Sequence, residues 1–402
     1  MASVSPEETV ENDSMPKNMA AESKLYMDVG DDSVSLIYRD EYNIHLLGME
    51  KLHPFDACKW GNVVKHLKKK QWIKELKVVS PNEATESDLR LVHSASYLRS
   101  LKWSINVAKI TEVAPAALVP NIFLQKRVLK PFRYQTGGSV LAGKLAMERG
   151  WAINIGGGFH HCWGNEGGGF CAYADISLTI HFVLNNYPSV ERVMIIDLDA
   201  HQGNGHERDF MGRKDIYILD MYNKYIYPND SYAKKAIRRR VELFAYTQDE
   251  EYLEKVSTHV EGALNEFSPQ MVIYNAGTDI MEGDSLGLLS VTKQGIIERD
   301  EIVFRKVTHR QVPIVMLTSG GYQRSTAAVI ADSIWNLSKK SLINMLRSTS
   351  VIPMVGTFTK ILLSVLKWRH LWSAITICWS PATHDIGVPA SGNPGSLVAT
   401  TL

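Results

Sequence analysis

Ile195-Ile196-Asp197-Leu198-Asp199-Ala200-His201-Gln202-Gly203-Asn204-Gly205 breaks a continuous apolar run with two carboxylates and an imidazole at alternate positions. A run without polar alternation reads as a strand buried on both faces. In extended chain Asp197, Asp199 and His201 fall on one side, and Leu198 and Ala200 on the other. Two carboxylates and one imidazole on one face suit a borderline cation such as zinc. The plainer alternative is a strand end whose acids cap the next helix.

The same rhythm recurs along the chain. A helical period with a glycine stop at 137–150 precedes the strand 151–155, which runs into Gly156-Gly157-Gly158-Phe159-His160-His161-Cys162. A second glycine run, Gly167-Gly168-Gly169-Phe170, opens onto a helix at 174–187. Strands are expected at 34–38, 192–196, 215–219, 271–275 and 313–317, with helices at 59–71, 250–267 and 293–308. Thr85-Glu86-Ser87-Asp88 resembles a capping box, and 93–103 continues in helical style. This pattern predicts an α/β fold, a doubly wound parallel sheet flanked by helices on both faces. Ligands of such sheets sit beyond the carboxyl ends of the strands.

Composition narrows the function classes. The 402 residues are 45% hydrophobic and 22% charged, enough for a large core, and a net charge of +1 provides no field for direct nucleic-acid binding. Arg238-Arg239-Arg240 reads as a solvated helix or turn face, and Lys65, Lys68, Lys69 and Lys70 as the wet side of a helix. Cys58, Cys162, Cys171 and Cys378 lie far apart, which points to a reducing compartment without disulfides. Residues 1–32 carry acids and lack an apolar core, so they read as a disordered tail without a signal peptide. No transmembrane segment is expected, because charges and Pro353 interrupt the Trp-rich run 351–379.

Four strand ends therefore bring chemistry to one edge: His160 and His161; Asp197, Asp199 and His201; Asp279; and Tyr322. Asp199, His201 and Asp279 supply the three ligands that a catalytic zinc keeps, although Asp279 alone is equally a helix cap. The two histidines suit an acid and a base, with a structural role or a second metal as alternatives. Asp197 is then a partner behind one histidine, and the Tyr322 hydroxyl a donor to a developing oxyanion. His93 by itself reads as a structural histidine.

These motifs together resemble the zinc-dependent histone deacetylases over about residues 34–340. Asp199-Ala200-His201-Gln202-Gly203-Asn204-Gly205 and Tyr274-Asn275-Ala276-Gly277-Thr278-Asp279 are most similar to the class IV branch. The resemblance implies an arginase-like fold and hydrolysis of acylated lysine side chains in histones or other proteins. It implies one Zn2+ per chain on Asp199, His201 and Asp279. His161 then moves protons, His160 is held by Asp197, and Tyr322 polarises the acyl carbonyl. Gly169 and Phe170 match the acyl-lysine tunnel. A structural K+ is implied near Asp197 and the backbone around Asp199, His201, Asp220 and Met221.

Asn204 stands where class I enzymes carry an aspartate, so His161 leans on a neutral amide and its pKa should be raised less. The class IV resemblance also implies removal of long-chain fatty acyl groups, a role in transcriptional repression with co-repressor proteins, and residence in nucleus or cytoplasm. Two other readings are an arginase-type ureohydrolase with two manganese ions, which needs additional Asp and His ligands where Gln202 and Asn204 stand, and a co-repressor scaffold with secondary catalysis. Domain boundaries are expected at 33–340 for the catalytic part, with 341–402 a divergent and poorly ordered tail.

Overall fold

The computed structural model describes residues 23–46, 48–52, 55–70 and 77–344. The expectations for residues 1–22, for the His53-Pro54 turn and for the Trp-rich tail from 345 onward lie outside these residues.

Among the described residues eight strands form one sheet: β1 Ser33–Ile37, β2 Lys77–Val79, β3 Trp151–Asn154, β4 Val193–Asp197, β5 Ile216–Asn223, β6 Arg239–Leu243, β7 Met271–Asn275 and β8 Ile314–Leu317. Their order is β2-β1-β3-β8-β7-β4-β5-β6, and every pairing is parallel. This is the doubly wound α/β architecture that the apolar strands predict.

Neighbouring residues of each central strand enter different cores. Ile195, Ile273 and Val315 pack with Leu141, Leu145, Ile176 and Ile180 from the helices Lys130–Arg149 and Asp175–Asn186. Ile196, Tyr274 and Met316 pack instead with Tyr252, Val260, Val303, Phe304 and Ile330 from Asp249–Glu266, Lys293–Thr308 and Thr326–Lys339. Burial on both faces explains the absence of polar alternation.

Register then aligns the strand ends. Asp197 of β4 is level with Asp220 of β5 and Asn275 of β7, while Leu317 of β8 is level with both Asn154 and Asn275. The loops that follow all leave from one edge.

Three local expectations need correction. Ser23 to Asp32 are packed rather than disordered: Leu25 is buried, the Tyr26 ring lies 5.4 Å from Phe182, and Arg149 donates to the carbonyls of Val29 and Gly30. A few apolar residues suffice to seat this segment on the core. Arg239 and Arg240 belong to the edge strand β6, where Arg239 reaches Glu266 and His259. An edge strand accommodates such charges because it is open to solvent on one side. The segment 93–103 is broken, since a Thr85–Asp88 capping box starts only the short helix Glu86–Leu89 and Ser94 caps a second helix, Ala95–Ser100.

Candidate active site

Beyond Asp197 the chain leaves the extended path and bends through Asp199, Ala200 and His201, because each acid catches the amide two residues on. Asp199 N donates to Asp197 Oδ1 at 3.1 Å, and His201 N to Asp199 Oδ1 at 3.0 Å. Leu198 and Ala200 are thereby fixed in the core, and Asp199 and His201 turn away from it. Asp279 enters from the loop after β7, where its Oδ1 accepts from Ala200 N at 2.9 Å. One potential ligand atom from each of Asp199, His201 and Asp279 lies within 4.8 Å of the others, and all three residues are buried. His201 Nδ1 is 3.2 Å from Asp199 Oδ1 and 2.9 Å from Asp279 Oδ2.

The field at this point favours positive charge. Burial alone would depress the His201 imidazole, but the two carboxylates push it up to about 10. Burial and the Asp199 charge push Asp279 up to about 7. Two oxygen ligands and one nitrogen ligand, desolvated and crowded together, form a donor set that fits a divalent ion of zinc type.

His160 and His161 lie beside this trio with ring centroids 4.1 Å apart, yet their environments differ. His160 Nδ1 is 2.9 Å from Asp197 Oδ2 and its Nε2 is 3.6 Å from Asp199 Oδ1. Burial works against its charge, but Asp197 and Asp199 outweigh it and raise the imidazole to about 9. His161 Nδ1 rests on Asn204 Oδ1 at 2.8 Å. Burial, then the neighbouring His160 and His201, hold His161 well below the ordinary histidine range. The two environments thus bias one ring toward the cation and the other toward the free base.

Tyr322 arrives on the loop after β8. Its amide donates to Asp284 Oδ2 at 2.9 Å, and its ring centroid is 6.3 Å from that of His201. Burial and the Asp279 and Asp199 charges keep its phenol protonated, hence able to donate. Gly169 and Phe170 both have left-handed backbones, with φ of 51° and 62°. For Phe170 that is a strained conformation, held by the hydrogen bond its amide N–H donates to Ile110 O at 2.9 Å. The turn sets the Phe170 ring 4.9 Å from Phe55, and a Cβ on Gly169 would meet the His161 ring at 2.4 Å.

A single cavity is lined by His160, His161, Asp199, His201, Gly169, Phe170 and Tyr322. Asp197, Asp279 and Asn204 stand behind its wall, each bonded to a residue that lines it. All ten residues singled out in the sequence thus meet at one place.

Others went unnoticed. Lys59 is fully buried; its Nζ donates to the carbonyls of Ser319 and Gly320 and lies 4.8 Å above the Phe55 ring. On the other side of that turn, Ser319 Oγ and Gly320 N both donate to Asp199 Oδ2 at 3.0 Å. Tyr227 packs against His161 with ring centroids 4.9 Å apart. Asn275 Nδ2 donates to Asp197 Oδ1 at 3.0 Å. A polar residue at the end of an apolar run was the available signal for Asn275; Lys59 and Tyr227 carry none.

An all-parallel doubly wound sheet with this polar cluster beyond its carboxyl edge is an α/β fold of the arginase and deacetylase kind. Residues 53–338 match the family model described as "Histone deacetylase domain". The chain is 57% identical over 321 residues to "Histone deacetylase 2" of Arabidopsis thaliana, covering 80% of this chain and 83% of that one. It is 26% identical over 338 residues to "Acetoin utilization protein AcuC" of Staphylococcus aureus (strain MRSA252), with 80% and 83% covered. The solved structure titled "Crystal Structure of HDA15 HD domain" superposes with a TM-score of 0.62 at 17% identity, covering 79% of this chain and 92% of that one, which supports the fold. The chain belongs to the histone deacetylase domain family, and the protein is a deacetylase.

Proposed function

We propose that this deacetylase hydrolyses the amide of acylated lysine side chains in histones or other proteins, with one zinc held by Asp199, His201 and Asp279. The observation that carries the reading is the adjacency of this buried trio to two histidines, one held by the Asp197 carboxylate and the other by the neutral amide of Asn204. When bound, the ion supplies the Lewis acidity that activates water and the acyl carbonyl. His161 donates its Nδ1 proton to Asn204, which leaves Nε2 as the base that takes a proton from water and returns one to the departing lysine amine. His160, protonated and tied to Asp197, stabilises developing negative charge. The Tyr322 hydroxyl donates to the oxyanion, and Gly169 and Phe170 wall the lysine side chain from water.

Among the described residues a single group of three such ligating side chains occurs, which favours one ion over the two of a ureohydrolase. A structural potassium ion near Asp197 is supported by two further buried carboxyls beside it, Asp220 and Glu207, which burial and the Asp197 charge push above the ordinary carboxylate range. The deciding experiment assays purified protein on acyl-lysine peptides before and after chelation. Activity that vanishes with the metal and returns with zinc supports the reading; activity indifferent to chelation defeats it.

The class IV motifs, together with Trp60 and Phe159 lining the cavity, favour long fatty acyl groups. Equal or faster turnover of acetyl-lysine than of myristoyl-lysine peptide would refute that preference. Action in transcriptional repression beside co-repressors, in nucleus or cytoplasm, follows from the same class IV resemblance. If His161→Ala leaves repression intact in cells, scaffolding and not catalysis is the cellular role. No helix among the described residues is long and apolar enough to cross a membrane.

A further inference from the structure

His206 takes no part in the chemistry above, yet it is 1% exposed and touches a residue that does. Its Nε2 lies 2.8 Å from Asp197 Oδ2, the same oxygen that stands 2.9 Å from His160 Nδ1. The other oxygen, Oδ1, accepts from Asp199 N at 3.1 Å and from Asn275 Nδ2 at 3.0 Å. An ionised carboxylate only accepts, so both imidazoles donate to it, and four donors occupy its two oxygens. A carboxylate held on all sides cannot rotate without breaking several bonds.

The supporting backbone is equally fixed. His206 lies in the helix Asn204–Asp209, whose first residue carries the His161 contact. Gly205 N donates to His160 O at 2.8 Å, and a Cβ on Gly205 would meet the backbone of Cys162 at 2.3 Å. The helix is therefore seated directly on the His160–Cys162 loop. One short element presents Asn204 to one histidine of the pair and, two residues later, His206 to the carboxylate that holds the other.

We infer that His206 is a positioning residue for His160: by donating to the shared Asp197 oxygen it locks the carboxylate and shares the charge that Asp197 presents to the His160 ring. The inference rests on the deacylase reading for its kinetic consequence and on geometry alone for the hydrogen bond. Without the second donor, Asp197 is free to pivot about its bonds to Asp199 N and Asn275. His160 then loses its fixed aim toward the cavity, so turnover falls while substrate binding, made elsewhere, does not.

The test compares His206→Leu, which keeps volume and removes the donor, with His206→Gln, whose terminal amide restores an N–H at similar reach. On an acyl-lysine peptide the leucine variant should lose at least tenfold in kcat, with KM and zinc content within twofold of wild type. The glutamine variant should recover to within threefold. Adding His206→Leu to Asp197→Asn should cost nothing further, because the two act through one contact. A folded leucine variant with wild-type kcat, a glutamine variant as impaired as leucine, or additive losses would each overturn the inference.

A readout on the wild-type protein separates this from the deacylase reading and needs no variant to fold. With nitrogen-labelled histidine, the Nδ1 proton of His160 and the Nε2 proton of His206 should both be observed as slowly exchanging imidazole protons. If the His206 proton exchanges freely, the shared-oxygen arrangement is wrong whatever the enzyme hydrolyses. If both are protected but no acyl-lysine is cleaved, the failure belongs to the deacylase reading.

Discussion

His161 Nδ1 meets the side-chain oxygen of Asn204 at 2.8 Å, whereas His160 Nδ1 meets the carboxylate of Asp197 at 2.9 Å. Nearly identical hydrogen bonds thus end on a neutral amide in one case and an anion in the other.

The Asn204→Asp variant would place an anion on both. An opposite charge at contact raises a histidine pKa by roughly 1–3 units. His161 must be neutral to act as a base, so the acidic limb of the kcat/KM profile should move to higher pH by about that amount. A profile measured from pH 5 to 9 that keeps its acidic limb in place would show that His161 is not the base.

Gly320 is packed so closely that a Cβ there would lie 2.4 Å from both Asp199 Oδ2 and Asp279 Oδ2. Gly320→Ala should therefore spread the two carboxylates apart. Zinc measured per chain should fall well below stoichiometric, and activity by at least a hundredfold, in a protein whose circular dichroism is unchanged.

Lys59 clamps the carbonyl side of the Ser319–Gly320 turn while Asp199 clamps its N–H side. Lys59→Met leaves the Ser319 carbonyl without that donor, a cost of about 1–3 kcal/mol. Because Tyr322 follows two residues later, kcat should drop at least tenfold. Urea denaturation and steady-state kinetics on the same sample check both effects.

His93 is buried and neutral: its Nε2 accepts from Ala174 N at 3.0 Å, and its Nδ1 faces Gly164 O at 3.3 Å. Burial lowers its pKa to about 4. The unfolded chain, with a pKa near 6.5, binds this proton more readily, so the contribution to stability is present above about pH 6.5 and is lost as pH falls toward 4. Between pH 7 and pH 5 the wild type should lose about 2 kcal/mol more than His93→Gln. Equal losses in urea titrations of the two proteins would count against a buried neutral ring.

Much of this site is legible in sequence because its chemistry is written in residue types at the ends of apolar runs. Asp199, His201 and Asp279 each follow a strand whose composition announces it, and parallel pairing makes those ends converge. Lys59, Ser319 and His206 are different. Lys59 works through backbone carbonyls, which every residue possesses, and Ser319 and His206 act on carboxylates that become their neighbours only after folding. The unexpected packing of residues 25–29 has a related cause: four apolar residues are too few to outweigh an acidic surrounding in composition, but enough to seat the segment once the core exists.

The two-sided burial of β4 bears on how the chain finds its native pairing. In a strand that is wet on one face, a slip of one residue exposes its apolar set and is rejected at once. Here Ile195 and Ile196 would simply exchange cores, each greasy on either side. What the slip cannot do is turn Asp197, Asp199 and His201 over, because their charges would be driven into hydrocarbon without partners. The residues assigned to catalysis are therefore also the alignment marks of the central strand, and replacing them with apolar residues is expected to blur its register as well as end the chemistry.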